Sequence, residues 1–510
     1  MQPSRASGVA ADRSYPYSSG CLENPDRQTL SMNGSTMRDS AKKAAYDGRI
    51  LMVGFGSIGQ GTLPLLLRHI NVPPQRVVIV TGDDNGREVA AEYGVEFVVA
   101  RLTPANFRQV LKPRLARGDF MVNVSNDVSS VALIELCQER GALYIDTCIE
   151  PWSGGYIDSS ISPEQRSNYA LRESALALNR NFPPGRGPTA LLTHGANPGL
   201  VSHLVKQALL DISRDLGKPV TAPCTRQGWA ALSRQLGIKV IHVAERDTQV
   251  PNPRKAPGEF VNTWSVEGFV GEGCQPAELG WGSHERHFPA DGNRHSEGCK
   301  AAIYLNRPGA STRVRTWTPL AGPLHAFLIT HAEAISIADY LSIGGGDSPE
   351  YRPTVHYAYH PCDDAVSSLH ELAGRNWLLQ ERRRLIKEQI VSGMDELGVL
   401  LMGHAKGAYW YGSRLSIAEA RRQCPHNGAT SLQVTAPLIA GVIWGIQNPD
   451  CGVLDPEALP HDYIIDFCRP YLGELAGVYS DWTPLRDRGW LFPEEVDRDD
   501  PWQFKNFRVL

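Results

Sequence analysis

The chain has 510 residues, 42% of them hydrophobic and 21% charged, with a formal net charge of −4. That length exceeds one ordinary core and implies roughly three domain-sized units, while the mild acidity gives no basic footprint for nucleic acid. No apolar run reads as a membrane span, and ten cysteines without a C-x-x-C pair read as reduced thiols, so a cytoplasmic protein is expected.

Residues 1–47 are rich in Ser, Arg, Gly, Asn and Asp and lack both apolar periodicity and the apolar stretch of a signal peptide. A disordered extension is expected there. From Arg49 to His194, short apolar runs alternate with helix-period segments. Strands are predicted at Ile50–Val53, Val77–Val80, Phe97–Val99, Phe120–Val124, Leu143–Ile145 and Ala190–Leu192. Helices are predicted at Ile58–Ile70, Arg87–Tyr93, Pro104–Arg117, Val128–Arg140 and Pro163–Leu178. This alternation predicts an α/β fold whose N-terminal unit, residues 48–195, is a Rossmann-type parallel sheet.

Within it, Gly54-Phe55-Gly56-Ser57-Ile58-Gly59 follows the first strand and opens the first helix. Gly54 suits the tight turn, Gly56 lets a pyrophosphate approach the backbone, and Gly59 lets helix and strand pack closely. Free N–H groups at the helix start then face the phosphate charge. The bland alternative is a glycine turn that binds nothing, but order and context favour a dinucleotide site. Ligands of such sheets bind at the carboxyl ends of the strands, which draws in Ser57, Asn123, Ser125, Asp146, Thr147 and Asn197. Thr81 stands where an acidic residue usually grips the adenosine ribose, and Asp83 and Asp84 come slightly late. Their charges favour NAD, while Arg87 keeps NADP open.

Beyond His194 the pattern becomes α+β, with many short β-like runs between 238 and 330 and helical segments at Leu200–Leu210 and Leu369–Glu388. Residues 196–475 are expected to form a substrate-binding and dimerisation domain, and 476–510 to pack back on the nucleotide domain. Arg382-Arg383-Arg384 reads as a solvated helix face, Gly344–Asp347 as a surface loop, and Ala436–Ile446 as a buried core segment. Glu245, Trp264, Glu267 and Glu272 supply an indole and carboxylates, the combination that holds an alkylammonium ion. The bland reading is a core tryptophan with surface glutamates. His331, after the apolar run Ala326–Ile329, is a candidate acid or base or a plain core histidine. His356, His360, Cys362 and Asp363 have metal-ligand side chains, but Tyr357-Ala358-Tyr359 between the histidines suggests strand alternation, so no metal is expected.

The chain resembles the bacterial homospermidine synthases, relatives of saccharopine and carboxynorspermidine dehydrogenases. The resemblance is carried by the glycine turn, by Tyr144-Ile145-Asp146-Thr147 with Glu150-Pro151-Trp152, and by Gly195-Ala196-Asn197-Pro198-Gly199. It continues in Ala244-Glu245-Arg246-Asp247-Thr248, Asn262-Thr263-Trp264-Ser265-Val266-Glu267-Gly268-Phe269 and His356-Tyr357-Ala358-Tyr359-His360-Pro361. Ala408-Tyr409-Trp410-Tyr411-Gly412-Ser413, Asp481-Trp482-Thr483-Pro484-Leu485 and Asp500-Pro501-Trp502-Gln503-Phe504 complete it, so it runs from about Arg49 to the C-terminus.

The resemblance implies an enzyme that joins two putrescines, or spermidine and putrescine, into homospermidine with loss of ammonia. NAD is consumed and regenerated within the cycle: an amine is oxidised to an imine, a second amine attacks, and the Schiff base is reduced. It further implies that Trp264 holds a cationic carbon and that Glu245 and Glu272 bind ammonium groups or shuttle protons. Asn197 would orient the amine, with Glu150 and His331 around the pocket and Asp127 and Asp363 toward the far amine or entrance. A homodimer is implied too. The rival readings are a saccharopine or carboxynorspermidine dehydrogenase-type reductase, which needs an Arg or Lys fork for an amino-acid carboxylate, and a catalytically silent dinucleotide-binding regulator.

Overall fold

The computed structural model describes residues 42–509. The first unit is a seven-stranded sheet in which every pairing is parallel. Its strands are β1 (Ile50–Val53), β2 (Val77–Thr81), β3 (Glu96–Val99), β4 (Phe120–Asn123), β5 (Leu143–Asp146) and β6 (Ala190–Leu191). The spatial order is β6-β5-β4-β1-β2-β3, with a returning strand, Val453–Leu454, beyond β6. β1 shows why the sheet is buried on both faces. Ile50 and Met52 join one apolar cluster, Leu51 and Val53 the other, and none is more than 1% exposed. Each such buried aliphatic side chain contributes about 1.5–3 kcal/mol.

The predicted strands and helices of this unit are present, with shifted ends. Helix α1 runs Ser57–His69, whereas the third predicted helix shrinks to Phe107–Leu111 and a 3-10 turn, and the fifth begins only at Asn168. The expectation for residues 1–47 lies mostly outside the described residues, and where it can be seen it needs correction. Ala44–Ala45 pair in parallel with Ile70–Asn71, and the Lys43 amide donates to the His69 carbonyl at 2.7 Å.

The second unit is an eleven-stranded mixed sheet. At its centre lie β7 (Val240–Asp247), β8 (Thr354–His360) and β9 (Met394–Met402). β8 runs parallel to β7 on one side, and β9 antiparallel on the other. The C-terminal segment belongs here, not on the nucleotide domain as expected. Glu474–Ser480 pairs with Ala408–Ser416, and Arg508–Val509 pairs with Arg313–Val314. Trp482, Trp502 and Phe507 pack into the same apolar cluster as Val240 and Leu400. The physical reason is apolar burial against the open face of this sheet.

The boundary between the units is also less simple than one cut. Helix Ala429–Gln447 returns to the first unit, where an added Cβ at Gly445 would stand 3.0 Å from Phe120 and one at Gly441 2.7 Å from Ile145. This helix is long and apolar enough to cross a membrane, contrary to the expectation of no such stretch, but 83% of its most apolar window is packed inside the protein. Two further expectations fail. Arg382–Leu385 is a strand paired in parallel with Glu259–Asn262, and the helix predicted over Leu369–Glu388 is instead Asp363–Gly374 followed by that strand.

Candidate functional site

The carboxyl ends of β1, β4 and β5 face the second unit, and two loops of the nucleotide domain grip the turn that carries Trp264. The Ser57 hydroxyl donates to the Trp264 carbonyl, and Asn126 Nδ2 donates to Ser265 Oγ at 3.0 Å. Ser265 Oγ in turn accepts from the Gly268 amide at 3.0 Å and caps helix Val266–Cys274. That helix presents Glu272. The glycine turn, Trp264 and Glu272 are therefore positioned as one piece.

From Trp264 a run of aromatic rings leads into the second sheet. Its indole lies 5.8 Å from Phe269, Phe269 lies 5.7 Å from Tyr359, and Tyr359 stacks on Tyr357 at 5.1 Å. Tyr357 meets the His331 imidazole at 4.5 Å. Carboxylates line this run. Glu245 Oε2 accepts from Asn197 Nδ2 at 2.7 Å and from the Tyr357 hydroxyl at 2.6 Å. His331 lies between two acids, with Nε2 2.9 Å from Glu272 and Nδ1 3.2 Å from Glu333. Cys148 lies 3.9 Å from the other Glu272 oxygen, and buried Glu150 stands close by.

Burial dominates the electrostatics. It pushes the Glu245 carboxyl up to about 7, against the opposing Tyr357 hydrogen bond. It raises Glu150 well above the carboxylate range, helped by the charges of Glu272 and Asp127. For His331, burial opposes protonation, but Glu272 and Glu333 outweigh it and hold the ring charged well above its usual range. The result is a buried imidazolium beside a carboxyl poised near neutrality.

Several positions differ from expectation. Asn123 and Asp146 turn inward. Asn123 Nδ2 donates to Tyr144, whose hydroxyl donates to Asp146, and the Thr193 amide donates to the other Asp146 oxygen at 2.6 Å. Both side chains are essentially unexposed and brace the strand ends, whereas Ser125 and Thr147 are half-buried. Asp127 is exposed on its loop at a φ of 65°. Asp363 stands apart, its exposed carboxylate paired with Arg246 at 3.0 Å. His356 lies tilted against His242, ring centroids 4.0 Å apart, inside the core, and among the described residues no group of three or more His, Cys, Asp or Glu side chains could hold a metal.

Sequence reading passed over Asp247 and Asp395. β7 places Asp247 two residues from Glu245 and so on the same face, a signal that was there to use. Asp395 comes from β9, directly opposite Asp247, and only the pairing register reveals it. Burial and then the charges of Glu245 and Asp247 push Asp395 well above its usual range.

The glycine turn fits a dinucleotide. Gly54 has a φ of +86°, and a Cβ there would strike the Ser125 backbone at 2.6 Å, whereas a Cβ on exposed Gly56 would meet nothing within 4 Å. The first glycine is needed to build the turn, and the second leaves the space open. Gly54→Ala is therefore expected to cost at least about 1–2 kcal/mol of stability from backbone conformation alone. Gly56→Ala is expected to leave the melting temperature of the ligand-free protein unchanged and to weaken NAD binding about tenfold or more. Calorimetric titration beside thermal unfolding separates the two effects.

A glycine-turn domain closed by an α+β sheet defines a class of dinucleotide enzymes. Residues 50–191 match the saccharopine dehydrogenase NADP binding domain, and residues 195–480 match the saccharopine dehydrogenase C-terminal domain. The chain is 52% identical over 467 residues to homospermidine synthase of Blastochloris viridis, covering 91% of this chain and 98% of that one. It is 48% identical over 469 residues to homospermidine synthase of Mesorhizobium japonicum, covering 91% and 96%. The crystal structure of the Legionella pneumophila homospermidine synthase in complex with NAD superposes with a TM-score of 0.85 at 50% identity, covering 92% and 100%. The chain belongs to the homospermidine synthase family, and NAD is its cofactor.

Proposed function

We propose that this enzyme acts in the cytoplasm, as a homodimer, on putrescine, joining two molecules into homospermidine with release of ammonia. The observation that carries the substrate is the buried run of aromatic rings and carboxylates from Trp264 to Glu245, which suits a chain of apolar methylenes ending in ammonium groups. Bound NAD supplies a hydride acceptor that later returns the same hydride. Gly54, Gly56, Ser57, Ile58 and Gly59 would hold it, with Ser125 and Thr147 at the neighbouring strand ends and Asp83 on the loop after β2.

The residues divide the remaining work. Hydride leaves only an uncharged amine, so a base must take a proton from one end of the diamine. Glu245, near neutrality and oriented by Asn197 and Tyr357, is that base. Trp264 covers the cationic carbon. His331, held charged by Glu272 and Glu333, donates the proton that departing ammonia requires. Exposed Asp127 gives the opening a negative charge that draws polycations, more strongly at low salt. A reductase for amino-acid substrates would need a free cationic fork. Arg246, beside Glu245, is engaged by Asp363, His360 and the Pro361 carbonyl.

The test is to supply putrescine with NAD⁺ far below substrate concentration. Homospermidine and ammonia in equal amounts, through many turnovers and without net NADH, are expected. Product formed only with stoichiometric reduced nucleotide and a carbonyl-bearing amino acid would defeat the proposal.

A further inference from the structure

Two tyrosines of β8, Tyr357 and Tyr359, lie on one face of the second sheet with their rings stacked 5.1 Å apart and 13° from parallel. Their hydroxyls are not equivalent. Tyr357 donates to Glu245 Oε2 at 2.6 Å. The Tyr359 hydroxyl is buried and has no hydrogen-bond partner among the described residues, in a residue that is 1% exposed. A buried hydroxyl in that state is costly, and the great majority of such groups are paired.

The surroundings define the partner this hydroxyl suits. The strand register sets Tyr359 directly beside Glu245, and Asp247 follows on the same face of β7. The charges of Glu245, Asp247 and Asp395 all reach the hydroxyl and, after burial, hold it protonated well above its ordinary range. On the other side, Phe269 lies edge-on at 5.7 Å, with the Trp264 indole beyond it. Tyr359 is thus the residue at which the aromatic run meets the carboxylates. A hydroxyl offers two acceptor lone pairs, and an amine N–H is a donor that the surrounding acids also attract.

We propose that Tyr359 is a substrate-binding residue, its hydroxyl oxygen accepting a hydrogen from the diamine nitrogen that Glu245 deprotonates. This rests on reading the carboxylate-lined run as a diamine site. Ring and hydroxyl then have separate roles. The ring packs in the free protein, whereas the hydroxyl is engaged only by the bound amine and fixes that nitrogen against Glu245. Tyr357 cannot do the same, because its own hydroxyl is committed to the carboxylate.

Tyr359→Phe separates the two roles, because it keeps the ring. The enzyme carrying NADH, which leaves no hydride acceptor, is titrated calorimetrically with putrescine, beside thermal unfolding and steady-state rates with NAD⁺. The variant is expected to unfold at the parent's temperature or above and to bind NADH within about twofold of the parent. Its putrescine affinity is expected to fall about tenfold or more, and kcat/KM by at least as much. Tyr357→Phe, which breaks a bond already made, is expected instead to lower the melting temperature. Unchanged putrescine affinity and kcat/KM in Tyr359→Phe overturn the proposal. A lowered melting temperature in Tyr359→Phe means that the protein itself satisfies the hydroxyl, and overturns it equally. A parent that binds no putrescine overturns the proposed substrate, and this contact with it.

Discussion

Trp264→Ala is expected to keep NAD and lose most turnover. The Trp264 backbone carbonyl, not its ring, meets the cofactor domain through Ser57, so truncating the indole leaves that contact in place. The ring begins the aromatic run toward Phe269 and is half-buried, in the position where a cation would be desolvated against it. A desolvated cation–π contact is worth about 2 kcal/mol, which alone converts to a loss of roughly 30-fold in kcat if it is made mainly in the transition state. Trp264→Phe keeps a weaker ring face and is expected to fall between. Steady-state rates with putrescine, beside calorimetric titration with NAD, measure both. Equal turnover in variant and parent would remove the cation–π role. A parallel loss of NAD binding would show that the indole serves packing between the units.

The parallel sheet was legible because each strand is a short run buried on both faces and each connection has helical periodicity. The glycine turn was legible because its chemistry is local. Arg382–Leu385 was misread as helical because its strand pairing lies more than 100 residues away in the chain and its charges face outward. The C-terminal segment was assigned to the wrong unit because its aromatic residues declare burial but not against what. The site divides similarly. Glu245, Trp264, Glu272 and His331 were candidates from their chemistry, but each is ambiguous alone, and family resemblance decided between the functional and the bland reading. Tyr357 reads from the sequence as part of a strand, yet its hydrogen bond to Glu245 exists only because β8 and β7 lie side by side. Asp395 left no local trace at all.

Those same neighbours set the expected pH dependence of turnover. Burial raises the Glu245 carboxyl to about 7, and the Tyr357 hydroxyl, which donates to the ionised form, pulls it back down. The Asp247 charge pushes it further up, while Asn197 and charged His331 favour ionisation. A base works only when deprotonated, so kcat is expected to rise with pH below about 7, by up to about tenfold per unit, and to level off above it. Tyr357→Phe removes a donor to the carboxylate and is expected to move that limb to higher pH. Asp247→Asn removes a repelling charge and is expected to move it to lower pH. Glu245→Gln is expected to abolish the limb and lower kcat by about 100-fold or more, the usual contribution of a positioned acid or base. The opposite signs of the Tyr357 and Asp247 shifts are what distinguish a titrating base from a residue that merely packs. If both variants move the limb the same way, or the limb survives in Glu245→Gln, the proton is taken by another group.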